Sequence, residues 1–184
     1  GEKVSINGTE LYYEHIANSN DKLTIVFESG YGWDLNNWIP IRDEVSKVAN
    51  IFMYDRDGVG KSAKSNQQKH SIQIIENLRS LLQKRDIKPP YVLIGHSFGG
   101  LNVRLYASKY PEEVVGVILL DSVHKDQNTK MFSFFTKKIQ EEYLGQFTVE
   151  ASRSEFEESL EQVRGTSLGN IPLIVMTGGT QLHY

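Results

Sequence analysis

The sequence has no cysteine, which excludes disulfide scaffolds, thiolate zinc sites and cysteine nucleophiles together. No apolar run approaches the roughly 18 residues that a membrane-spanning helix needs; the longest, from Val114 to Leu120, has the length of a strand. Positive charge is not in excess, since 20 Lys and Arg face 23 Asp and Glu for a formal net charge of −3. Nucleic acid and anionic membrane surfaces both demand clustered positive charge, so neither is an expected partner. The N-terminus opens Gly1–Glu2–Lys3 with no apolar segment of the secretory kind, and a cytoplasmic protein is expected.

What the chain does contain suits one domain. Its 184 residues are 39% hydrophobic and 10% aromatic, enough for a sizeable core. Period-2 runs at Val4–Ile6 and Leu11–Tyr13 flank Asn7–Gly8, the signature of a hairpin. The apolar run Leu23–Phe27 reads as a strand buried on both faces, Ile51–Tyr54 as a short strand, Tyr91–Ile94 as another buried strand, and Val114–Leu120 and Leu173–Met176 as the last two, with the final one left as an apolar edge. Between them, helical spacing appears at Trp38, Ile41, Val45 and Val48, and again at Ile74, Leu78, Leu81 and Leu82. Leu101 and Leu105 mark a further helix, which stops near Pro111. Strands alternating with helices predict an α/β fold, a mostly parallel sheet with helices on both faces. Residues 125–170 break this rhythm with two charged helical patterns, Met131–Tyr143 and Ser154–Arg164. They are expected to form a small helical insertion over the sheet's edge, with residues 1–124 and 171–184 as the core.

The chemical signal is Gly95–His96–Ser97–Phe98–Gly99–Gly100, set between a buried strand and a helix. A strand that turns sharply into a helix lifts the central serine above the sheet, in strained backbone geometry. Only small residues two before and two after it avoid a clash, and Gly95 and Gly99 stand there. The helix from Phe98 aims its free N–H groups and positive dipole end at the reacting atom. The bland alternative is a glycine-rich turn with no chemistry.

Here the chain resembles the α/β-hydrolase superfamily, in its esterase, lipase and peroxidase-like branch with a serine nucleophile. The resemblance extends to the hairpin Ser5–Tyr13, the loop Tyr54–Ser62 after the fourth strand and the segment Ile171–Met176. It also gives residues 125–170 the place of a lid. A serine at 97 sets the chain apart from relatives that use an aspartate there. The resemblance implies Ser97 as nucleophile and the backbone N–H groups of Tyr31 and Phe98 as oxyanion hole. In the loop Glu28–Ser29–Gly30–Tyr31–Gly32, Ser29 stands where most relatives have histidine; a plain turn is the competing reading.

The family orders its triad as serine, acid, histidine. No carboxylate follows the seventh strand in Thr177–Gln181, so the acid is assigned to Asp121 after the sixth, the place some relatives use. A strand-end aspartate bonding nearby backbone explains Asp121 equally well. Of five histidines, His15 and His70 are expected at the solvated surface. His96 is expected beneath the nucleophile with its ring turned away, while His124 and His183 are weak candidates for the base. The family's catalytic histidine follows an eighth strand that this sequence does not reach. The expectation is a fragment of a longer hydrolase, nearly inactive by itself.

Trp33, Trp38 and the insertion aromatics Phe132, Phe134 and Phe135 are candidates to line an apolar acyl pocket, or else to pack a core. The expected partner is a small ester-like molecule, and neither metal nor organic cofactor is implied. Two competing functions stand beside this reading. A phosphate loop at Gly60–Lys61–Ser62 fails because Asp55 occupies the position of its first glycine and repels phosphate. A non-catalytic ligand-binding protein on the same fold would keep the pocket without the base.

Overall fold

The computed structural model describes residues 1–18 and 23–178. Its hairpin joins β1 (Glu2–Ile6) to β2 (Thr9–Ile16), with Asn7 and Gly8 both at positive φ, as a two-residue turn of matching twist requires. The other strands are β3 (Thr24–Glu28), β4 (Asn50–Tyr54), β5 (Tyr91–His96), β6 (Val114–Leu120) and β7 (Leu173–Met176). They form one sheet in the order β1-β2-β4-β3-β5-β6-β7, antiparallel through β2 and β4 and parallel from β4 to β7. The mostly parallel α/β architecture expected from the sequence is the one observed.

Alternate side chains of the central strands feed two cores. Val26, Phe52 and Leu93 point to one face, while Phe27, Ile51, Met53 and Ile94 point to the other. The first face is covered by α2 (Ser71–Lys84) and α3 (Gly99–Lys109). α2 buries Ile74, Ile75, Leu78, Leu81 and Leu82, and His70 caps its N-terminus by accepting from the Gln73 amide at 3.2 Å. His70 is therefore a buried cap and not the solvated residue expected from sequence. On the second face, the helix expected across residues 38–48 is a 3₁₀ turn, Leu35–Trp38, followed by α1 (Ile39–Val45). Pro40 starts a fresh helix in this register, so Trp38 is buried but Ile41 and Val48 are exposed.

The insertion has three helices where two were expected: α4 (Gln127–Phe132), α5 (Lys137–Leu144) and α6 (Arg153–Val163). Thr136 caps α5 and so divides the first pattern. α6 packs against α2 and α3 and not along the sheet's edge strand, through Phe156, Leu160, Val163 and a 2.8 Å bond from the Ser71 amide to Ser159 Oγ. β7 pairs with β6 and leaves Leu173, Ile174, Val175 and Met176 about half exposed.

A capping box fixes the start of α6, where Ser152 Oγ and Glu155 serve each other's backbone. Glu155 also accepts from the Lys69 amide at 2.7 Å. Burial alone would raise the Glu155 pKa, but the Ser152 backbone and hydroxyl and the Lys69 amide hold it below its ordinary 4.5. A depressed carboxylate contributes stability above its unfolded value and loses it as pH falls through the folded one. Acidification below 4.5 is therefore expected to loosen α6 before the sheet, read as faster amide exchange in residues 153–163 than in β5. Glu155→Gln should exchange fast in α6 at neutral pH as well.

Candidate active site

Between β5 and α3, Ser97 adopts φ +51°, the left-handed region that a serine enters only under constraint. The neighbours that impose it are identifiable. A Cβ at Gly95 would lie 2.6 Å from the Gly99 carbonyl oxygen and 2.7 Å from Val103 Cγ2. One at Gly99 would lie 2.6 Å from the Ser29 carbonyl oxygen and nearer still to that of Glu28. The end of β6 and the loop after it clasp the turn: the Ser97 amide donates to the Leu120 carbonyl at 3.0 Å, and the Val123 amide donates to the Ser97 carbonyl at 3.1 Å. Ser97 opens onto a cavity of about 260 Å³ at the carboxyl end of the sheet. Among the described residues no Asp, Glu, Lys or Arg lines it.

Two backbone amides border the same cavity. Tyr31 follows Gly30 in the loop after β3, and Phe98 follows Ser97; neither amide is claimed by an acceptor among the described residues. Gly30 is close to Ser97, its Cβ position being 3.5 Å from Ser97 Cβ and 3.0 Å from His96 Nδ1. Ser29 faces the core, accepting from Trp38 Nε1 at 2.9 Å and donating to the Asp34 carbonyl at 3.2 Å.

Three charged residues that sequence reasoning passed over support this loop from below. Arg56 is buried and spends all five N–H donors. Nη1 donates to Glu28 Oε1 at 2.8 Å and the Ser29 carbonyl at 2.7 Å. Nη2 donates to the Gly30 carbonyl at 2.7 Å and Glu150 Oε2 at 2.9 Å, and Nε to Glu150 Oε1 at 2.5 Å. Burial opposes the Arg56 charge, yet Glu150 and then Glu28 outweigh it and raise its pKa. Burial raises Glu28, against the Arg56 charge and hydrogen bonds from Tyr54 and Asn102. The neighbouring Asp55 carboxylate accepts from the Leu35 and Lys61 amides, each at 2.8 Å. The loop thus folds around the Asp55 carboxylate.

Asp121 sits just past β6, at φ +43° and exposed, and does not border the cavity. Its amide donates to the Met176 carbonyl at 2.8 Å, and its Oδ1 accepts from the Gly178 amide at 2.6 Å. None of the described histidines hydrogen-bonds to Asp121 or Ser97. His124 is exposed and accepts from the Asp126 amide at 3.1 Å. His15 is exposed on the second hairpin strand, β2, and His183 lies outside the described residues. The His96 ring stands edge-on to Trp33 and Trp38, with Nδ1 buried and unbonded. It borders the cavity instead of turning fully away from it.

Of the expected pocket aromatics, Trp33 borders the cavity and Trp38 does not. Trp38 is 2% exposed and lies against Phe27 at 4.7 Å, because the 3₁₀ turn rotates it into the second core. Phe132, Phe134 and Phe135 also miss the cavity, and Phe134 is 86% exposed. Tyr143, Phe147 and Phe156 take that place. The spacing of Phe156 with Leu160 and Val163 on one face of α6 was the available sign.

A family model described as alpha/beta hydrolase fold matches residues 24–162, and the chain belongs to this family. The uncharacterized protein YqjL of Bacillus subtilis (strain 168) is 34% identical over 177 residues, which cover 95% of this chain and 69% of YqjL. A human (lyso)-N-acylphosphatidylethanolamine lipase is 27% identical over 106 residues, or 55% of this chain and 31% of the lipase. Among solved structures, the enol-lactonase from Burkholderia xenovorans LB400 shares the fold with TM-score 0.68 at 20% identity, covering 96% of this chain and 81% of that one.

The two tryptophans are expected to separate on substitution. Trp38→Ala should cost about 3–5 kcal/mol in urea unfolding, as for a large aromatic removed from a core. Trp33→Ala, at 59% exposure, should change stability by about 0.5 kcal/mol or less.

Proposed function

We propose that the protein is a serine hydrolase that cleaves a small carboxylic ester through an acyl intermediate on Ser97; amides and lactones are the further candidates. Ser97 Oγ attacks the acyl carbon and gives its proton to a base. The oxyanion that forms accepts from the Tyr31 and Phe98 amides, and its collapse expels the alcohol with a returned proton. Water then repeats the sequence on the acyl-serine. The observation that carries this reading is Ser97 at φ +51°, opening onto an aromatic cavity beside two unclaimed amides. Trp33, Tyr143 and Phe147 border that cavity, which favours an apolar, uncharged acyl group.

Asp121 is the group proposed to orient the catalytic histidine, with its place beside the Ser97 clasp in support. That histidine is proposed to lie beyond residue 184, a reading supported by the 69% share of YqjL that the chain spans. On this basis residues 1–184 turn over p-nitrophenyl acetate far more slowly than the product of the complete gene. Equal rates would contradict it.

A fluorophosphonate probe applied to the product of the complete gene should label wild type and leave Ser97→Ala unlabelled, with turnover lowered at least about 10³-fold in the variant. Labelling that persists in Ser97→Ala removes Ser97 from the mechanism. An unlabelled wild type that still binds apolar esters would identify a binding protein instead.

A further inference from the structure

We infer that Glu150, carried by the insertion, is a positioning residue for the oxyanion hole: its carboxylate holds the loop after β3 in register with Ser97. The inference rests on the hydrolase reading for its catalytic consequence, although the contacts themselves do not.

Glu150 lies between α5 and α6, 94 residues from Arg56 in sequence, with its side chain 1% exposed. Its two oxygens make three bonds. Oε1 takes Arg56 Nε at 2.5 Å, and Oε2 takes Arg56 Nη2 at 2.9 Å and the Gly32 amide at 2.8 Å. The same Nη2 donates to the Gly30 carbonyl, and Nη1 to the Ser29 carbonyl. Tyr31, whose amide is to receive the oxyanion, is thus flanked by two pinned peptides, one through its carbonyl and one through its amide. Peptide planes are rigid, so fixing the Gly30 carbonyl fixes the N–H that shares its plane, which is that of Tyr31. The Tyr31 ring is held as well, with its hydroxyl donating to the Ala151 carbonyl at 2.7 Å and accepting from the Glu150 amide at 3.2 Å.

A neutral amide cannot substitute for this carboxylate. Gln at 150 accepts through one atom and turns an NH₂ group toward either the Arg56 guanidinium or the Gly32 amide, both of them donors. It also leaves Arg56 buried with Glu28 as its remaining counter-ion. A hydrolase that orders its oxyanion donors through its insertion has its transition-state geometry, more than its substrate affinity, exposed to this one change.

The test compares Glu150→Gln with wild type, both as products of the complete gene, by peptide-resolved amide exchange and by steady-state hydrolysis of p-nitrophenyl acetate. Exchange in residues 30–33 is expected to rise at least about tenfold with β5 unchanged. The value of kcat should fall about 10- to 100-fold, with KM within about twofold. Unchanged protection of residues 30–33, or a loss confined to KM, overturns the inference. Should the Gln variant fail to fold, Glu150→Asp keeps the charge on a shorter stem that cannot span Arg56 and Gly32 together. It should shift both readouts the same way by less, and wild-type values in Asp overturn the inference equally. If wild type is not labelled at Ser97, the hydrolase reading fails while the exchange comparison still decides the positioning role.

Discussion

Gly99 lies so close to the Glu28 and Ser29 carbonyl oxygens that no side chain fits between them, and this contact sets the spacing between the Ser97 turn and the loop after β3. The turn cannot withdraw from the loop without breaking the parallel pairing of β3 with β5, which runs to Glu28 and Gly95. From beneath, Arg56 draws the Ser29 and Gly30 carbonyls downward. The strained serine and its neighbouring amides are therefore placed by one continuous packing problem, solved by a missing side chain above and a fully bonded guanidinium below.

The buried charges deserve weighing against that role. Desolvating an arginine and two carboxylates costs several kcal/mol per ion, and mutual attraction returns this only when every donor and acceptor is matched. Here all five Arg56 donors are matched, and Tyr54 and Asn102 complete the partners of Glu28. Ser71 Oγ extends the chain of bonds by donating to Asn102 Oδ1 at 2.6 Å, which links the start of α2 to the end of β3. Such a cluster contributes mainly a unique geometry. An apolar trio of the same volume would leave the carbonyls of residues 29 and 30 unbonded in the interior.

Local pattern carried much of the architecture. The Asn7–Gly8 turn, the apolar strands and the glycines around Ser97 each have causes within a few residues, so the hairpin, sheet and elbow were readable in advance. The site's support was not. Arg56 sits in a polar, glycine-rich loop whose composition reads as solvated, and nothing near it announces a partner 94 residues away. Trp33 and Trp38 looked alike as pocket candidates until Pro40 reset the helical register and sent Trp38 into the core. The insertion aromatics failed for a related reason, since the break at Thr136 decides which of several phenylalanines face inward, and spacing across a break carries no register.

The clasp between Ser97 and the segment just past β6 has a bearing on how such a molecule tolerates change. Because Leu120 and Val123 grip the serine's own peptide groups, Asp121 rides on the short span clasped to Ser97. Thermal drift, or a slow accumulation of substitutions in the outer strands, would carry both along as a single body. Their separation is insulated from sequence divergence elsewhere, leaving the surrounding walls free to vary while the two residues keep their spacing.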